Sequence, residues 1–190
     1  AREIAALYDL PMKEFPHFDR NVENTSGFHV TVEDAERCPR MTGTQIENVC
    51  VKPAPYWMQV RIWKTGMRPI NALVDITNYV MLATGQPSHA YDSDHIAGHI
   101  IVRRAKAGET LTLLNGKELP LSTDDLTIAD DAGIVGLAGV MGGAKDSILP
   151  TTSKVILEIA NFQAAGIRRT ALRYDNRTEA SARYEKAIDP

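Results

Sequence analysis

Residues 68–92 read RPINALVDITNYVMLATGQPSHAYD, and this stretch decides how the rest of the chain is organised. Asn71 stands at an N-cap position, apolar side chains recur at Leu73, Ile76, Val80 and Leu82 with Tyr79 beside them, and Gly85 is placed for a left-handed helix end. The spacing predicts a helix over 71–84. Gln86-Pro87 forbids its continuation, so Ser88 to Tyr91 leaves in extended form. A reversal at Gly85 can bring His89 back beside Thr77 and Asn78, in the last two turns, so that three polar side chains converge. A plainer account fits each of them singly: Thr77 and Asn78 bonded to nearby backbone, and His89 a satisfied surface imidazole.

The chain of 190 residues, 44% hydrophobic and 24% charged, has the composition of a soluble globular protein, with room for one large or two intimately packed small domains. No apolar run approaches the roughly 20 residues that cross a bilayer, and no basic-then-apolar leader opens the chain, so a cytoplasmic protein without a membrane partner is expected. Ala1 at the start and Asp189-Pro190 at the end read as cuts from a longer polypeptide. Cys38 and Cys50 lack a CxxC spacing or flanking histidines and read as ordinary thiols. The net charge of −3 argues against indiscriminate nucleic-acid binding. Arg169, Arg173 and Arg177 are four apart, which on a helix makes either one basic stripe or a solvated face with a few ion pairs.

Ala1 to Leu10 has helical alternation and Pro11 to Asn24 reads as a linker. Phe28 to Val32 alternates as a strand, with Met41 to Val51, interrupted by Gly43, as its expected partner. Pro53 and Pro55 break the sheet, and Tyr56 to Lys64 reads as an amphipathic helix presenting Trp57, Val60 and Trp63 to the core. After Asp92 the pattern is predominantly β: Ile100 to Arg104, Thr110 to Leu113, Leu126 to Ala129 and Ile134 to Val140, punctuated by Gly108, Asn115-Gly116 and Asp130-Asp131. His95 and His99 have a helical metal spacing, but Gly98 and the oncoming strand argue against a helix, and no metal site is expected. Gly136-Leu-Ala-Gly139-Val-Met-Gly142-Gly143 removes side chains where something approaches the backbone, a ligand or simply a tight turn. Glu158 lies inside the strand Lys154 to Ala160 and shares a face with Ile156 and Ala160, so it is either exposed or points into a cavity that supplies donors. A helix over 163–174 and a last helix capped by Thr178 close the chain. No GxSxG elbow, HExxH or phosphate-binding glycine motif is present, so the residues by themselves give an α+β domain with a candidate pocket.

Residues 68–92, then GLAGVMGG, then LEIANFQAAGIRRTALRYDNRTEASARYEKAIDP, together resemble the editing module of the β subunit of bacterial phenylalanyl-tRNA synthetase, in register over nearly everything from Val51 to Pro190. The resemblance implies mixed or antiparallel sheets with packed helices. With the terminal helix and linker read from the residues (1–24), the expected division leaves an editing domain (25–190) of two interleaved subdomains that meet near 92–100 with a pocket between them. The resemblance also implies hydrolysis of tyrosine misattached to the tRNA for phenylalanine. Glu158 falls where the family accepts the tyrosine hydroxyl, and His89, Thr77 and Asn78 line the pocket near the ester. Pro87 shapes its wall, Ala138, Gly139 and Gly142 match a small-residue loop, and Thr178 and Ala180 match a further wall. Implied partners are the tRNA, the α subunit and the rest of the β chain in an α2β2 assembly. No cofactor or metal is implied for this module, because ATP and magnesium serve the separate aminoacylation site. Ser88 and Tyr91 depart from the methionine and phenylalanine more usual in the family, Ala144-Lys145 replaces a commonly acidic pair, and Asn176 replaces an apolar residue. A non-catalytic structural or tRNA-docking module is the rival reading; a free-standing binder of aromatic amino acids is a third.

Overall fold

The computed structural model describes residues 2–13, 28–145 and 147–188. In chain order its elements begin α1 (Arg2–Tyr8), β1 (Val30–Val32), β2 (Arg40–Glu47), α2 (Tyr56–Lys64), α3 (Ala72–Thr84) and β3 (Ser88–Asp92), with a short 3-10 turn at Ser93–His95. They continue β4 (Ile100–Arg104), β5 (Thr110–Thr112), β6 (Glu118–Pro120), β7 (Leu126–Ala129), β8 (Ile134–Leu137), β9 (Met141–Gly142), β10 (Lys154–Asn161), α4 (Ala164–Arg173) and α5 (Glu179–Tyr184). The class is α+β, as expected. Most of the linker expected over 11–24 lies outside the described residues. Among the described residues no helix is long and apolar enough to cross a membrane.

Two sheets carry the architecture. The larger has the order β1-β4-β7-β8-β9, with β1 parallel to β4 and the other neighbours antiparallel. The smaller is β2-β10-β3, antiparallel throughout with β10 at its centre. A β5–β6 hairpin, turned at Asn115-Gly116 with Gly116 at φ +82°, joins the larger sheet through a bridge from Leu113 to Gly143. One core unites these parts: Tyr91, Ile156 and Ala160 of the smaller sheet pack with Val102, Ile128 and Leu137 of the larger and with Ile167 and Tyr184 of the last two helices.

The ends of α3 form as the sequence predicts. The Asn71 side chain accepts from the Leu73 and Val74 N–H groups at 3.1 Å, and Gly85 at φ +86° donates its N–H to the Met81 carbonyl at 2.8 Å. Its facing is another matter. Ile76 and Val80 are 46% and 40% exposed, whereas Ala72, Asp75 and Met81 are buried, Asp75 accepting the Ile70 N–H at 2.8 Å. The face formed by Val74, Thr77, Asn78 and Met81, spaced i, i+3, i+4, i+7, is turned to a cavity.

Two further expectations are corrected, and one open alternative is resolved. β2 does not pair with β1 but with β10; β1 lies against β2 face-on, because a Cβ on Gly43 would stand 2.7 Å from the Phe28 ring and 2.9 Å from Val30. In α2 the buried side chains are Met58 and Ile62, while Trp57 and Trp63 are 50% and 71% exposed; Trp57 instead meets Tyr79 edge-on, with the Arg61 guanidinium 5.2 Å above its ring. Of the two readings of the basic residues, the face with ion pairs holds and the single stripe does not, since α4 ends at Arg173 and Asp175 turns the chain at φ +46°. Arg169 and Arg173 face Asp124, Arg177 pairs with Glu185, and Arg183 pairs with Glu179. The fully buried Asp125 carboxylate, bonded by Thr170, Arg173 and Tyr174, fastens α4 to the loop ahead of β7.

Candidate functional site

Strand register creates the centre of the site. β3 and β10 run antiparallel with His89 directly opposite Glu158, so the imidazole and the carboxylate share one face of the smaller sheet. Tyr91, two residues along β3, lies on that face too. Its hydroxyl donates to Glu158 Oε2 at 2.5 Å, and its ring meets that of His89 edge-on with centroids 4.5 Å apart. Burial pushes the Glu158 carboxyl up to about 7, against the opposing effect of the Tyr91 hydrogen bond. Burial also pushes the His89 imidazole down to about 4, so it is neutral at pH 7 and one ring nitrogen is free to accept a proton.

The pair opens onto a hollow in two parts. An inner recess of about 70 Å3 is lined by Tyr91, Ala138, Gly139, Glu158, Phe162 and Tyr184. An outer cavity of about 510 Å3 is lined by Thr77, Asn78 and Thr178 together with Met67, Ile70 and Leu114. Pro87, Ser88, His89, Val140, Met141, Gly142 and Ala180 line both, so the two cavities adjoin along these residues. All ten residues singled out from the sequence therefore border one or the other of two adjoining cavities. They divide between the two: Glu158, Ala138 and Gly139 at the inner, Thr77, Asn78 and Thr178 at the outer, and His89, Pro87, Gly142 and Ala180 at both.

The glycines have specific neighbours. A Cβ on Gly142 would stand 2.6 Å from His89 Nε2, so the imidazole lies directly against the bare backbone there. Gly139 has φ +66°, and its Cβ would meet Ile167, Phe162 and Tyr184 at 2.9 to 3.1 Å, so both conformation and space require glycine. Thr178 caps α5 in a capping box with Ser181 and donates its hydroxyl to the Val140 carbonyl at 2.8 Å, tying the helix to the glycine turn. The plainer account holds for the Thr77 hydroxyl, which donates to the Val74 carbonyl at 2.8 Å. The Asn78 side chain makes no hydrogen bond among the described residues and borders the outer cavity.

Of the turn's N–H groups, Val140 bonds the Leu137 carbonyl at 3.0 Å and Gly143 the Val135 carbonyl at 2.7 Å, which removes both as free donors. Among the described residues no set of three His, Cys, Asp or Glu side chains is placed to hold a metal ion. His95 faces Asp92 and His99 faces Asp131. Cys38 is buried, its thiol pushed up to about 12, and Cys50 is exposed. Sequence reasoning missed Tyr91, Tyr184 and Gln86. The signal for Tyr91 was its i+2 spacing from His89; none existed for Gln86, which reaches the Ala160 carbonyl at 3.0 Å, or for Tyr184, whose hydroxyl donates to the Pro87 carbonyl at 3.2 Å.

A family model described as the B3/4 domain matches residues 37–190. Among similar chains, the phenylalanine–tRNA ligase beta subunit of Solibacter usitatus is 46% identical over 191 residues, covering all of this chain and 25% of the relative. That of Streptomyces avermitilis is 44% identical, again over the whole of this chain and 23% of the relative. That of Lactobacillus acidophilus is 48% identical over 87% of this chain and 20% of the relative. The chain thus spans a quarter or less of these curated relatives. A crystal structure of an N-terminal fragment of the phenylalanyl-tRNA synthetase beta-subunit from Pyrococcus horikoshii superposes with a TM-score of 0.52 over 85% of this chain and 52% of that one; at 13% identity the likeness is one of fold.

Proposed function

The chain belongs to the B3/4-domain family, and from that premise we propose that it is the editing module of a phenylalanyl-tRNA synthetase β chain, hydrolysing tyrosine misattached to the tRNA for phenylalanine. One observation carries the reading: an acceptor for a phenolic hydroxyl and a neutral imidazole face each other across two strands and border the same hollow. A synthetic pocket shaped for phenylalanine discriminates against an analogue with one added hydroxyl by only about 100-fold. A second site that bonds the hydroxyl reverses the preference, because phenylalanine there leaves a buried acceptor unpaired at roughly 1 to 3 kcal/mol.

The tyrosyl ring enters past Pro87 and Gly142 toward Glu158, spanning the recess and the floor of the outer cavity. The ester then lies near His89 and Asn78, with the terminal ribose at the wider outer end. A water held by His89 Nε2 or Nδ1 and the Asn78 amide attacks the ester carbonyl; the imidazole, neutral at pH 7, is able to take its proton. Backbone N–H groups of Gly139 and Gly142 are the candidates for the developing oxyanion, since Val140 bonds Leu137 and Met141 is paired with Leu137 in the β8–β9 ladder. No covalent nucleophile is needed for an activated ester. The tRNA, the α subunit and the remainder of the β chain complete the assembly.

The test is loss of the ester from tyrosyl-tRNA for phenylalanine, followed with the synthetase that carries this module. Wild type deacylates it, and Glu158→Ala and His89→Ala each cut the rate at least about tenfold. Rates equal to buffer for all three proteins support the structural or tRNA-docking role instead.

A further inference from the structure

Tyr91 presents a phenol of the chain's own to the carboxylate that the proposed function reserves for a guest. It is 2% exposed, held edge-on against His89, with Gly136 packed behind its hydroxyl. A carboxylate offers about four lone-pair sites. Tyr91 engages Oε2, and Glu158 borders the recess.

We propose that Tyr91 is a positioning residue for substrate selection: by holding Oε2 it fixes the carboxylate plane so that Oε1 meets the substrate hydroxyl, and two phenols share one carboxylate. This rests on the hydrolase reading of Glu158. Without the Tyr91 hydroxyl the carboxyl loses both its orientation and a hydrogen bond that favours its ionised form. The titratable groups around Glu158 are Tyr91 and His89 from β3, Tyr184 from α5 and Cys38 from the loop before β2. Burial raises Tyr184 and Cys38 and lowers His89, so these three are neutral at pH 7 and the Tyr91 hydroxyl sets the balance.

Tyr91→Phe keeps the ring and its packing while removing the bond. Deacylation of tyrosyl-tRNA is measured from pH 6 to 9 with the synthetase carrying either residue. Tyr91→Phe lowers kcat/KM roughly 10-fold at pH 7, and the loss shrinks toward pH 9 as the unsupported carboxyl ionises. A loss of equal size at every pH, or no loss, overturns the proposal. A second measurement needs no ester: carboxyl 13C titration of Glu158, whose midpoint rises in Tyr91→Phe. A midpoint that does not move defeats the Tyr91 proposal alone, whatever the deacylation rates. A wild type that leaves the ester intact defeats the hydrolase reading and with it the selection role.

Discussion

Glu158→Gln isolates the ionisation of the buried carboxyl, because the amide oxygen still accepts from Tyr91 while the charge is gone. In the wild type, the carboxyl is raised from its ordinary 4.5 to about 7, so its contribution to stability is full below pH 4.5 and is lost as pH rises through 7. Between pH 5 and 7.5 that loss is about 2 kcal/mol. His89 works in the opposite direction: lowered from 6.5 to about 4, its contribution is full above 6.5 and is lost as pH falls through 4. Over the same interval it gains about 2 kcal/mol, so the two slopes nearly cancel in the wild type. Urea unfolding of wild type and Glu158→Gln at pH 5 and pH 7.5 reads the difference, with every other titrating group common to both. The variant gains about 2 kcal/mol on the wild type between the two pH values. A stability difference that stays constant would show that Glu158 ionises as an ordinary carboxylate and that it does not occupy the buried position assigned to it.

Gly142→Ala drives a methyl to 2.6 Å from His89 Nε2, so the imidazole must swing away; deacylation falls by about 100-fold while the unfolding midpoint changes little. Gly139→Ala meets both an unfavourable φ of +66° and three side chains within 3.1 Å, and costs about 2 to 4 kcal/mol in urea unfolding. Thr178→Ala removes the α5 cap and the bond to the Val140 carbonyl, costing about 1 to 2 kcal/mol, with Thr178→Ser restoring most of it in the same assay.

Local signals carried well into the structure, and non-local ones did not. Asn71, Gly85 and Thr178 act through backbone groups within four residues, and their caps formed as the sequence indicates. The helix Tyr56–Lys64 and the strands Ile100–Arg104 and Leu126–Ala129 likewise have the predicted bounds. Which strand lies beside which depends on partners more than a hundred residues away, and β2 found β10 rather than the nearer β1. Gly43 held the clue, since a missing side chain within a strand marks a close approach, here by Phe28. Hydrophobicity also misdirected the facing of α2 and α3: Trp57, Trp63, Ile76 and Val80 are exposed, and Met58, Ile62, Ala72 and Met81 occupy the contacts. For the site, the resemblance chose Glu158 over its exposed alternative, and the cross-strand register accounts for its burial beside His89. Tyr91 was legible in principle from strand alternation, but nothing in the sequence sets the reach of its hydroxyl.

Because the imidazole and the carboxylate hang from one rung of a β-ladder, their separation is a backbone dimension, roughly 5 Å between the Cβ atoms of an opposed pair. Side-chain exchange cannot lengthen it. Inserting or deleting one residue within Ser88–Asp92, or within Lys154–Asn161 ahead of Glu158, turns one partner to the opposite side of the sheet. Chains descended from a common ancestor with this hollow are therefore free to vary the loops around it in length, while these two short segments keep their residue count.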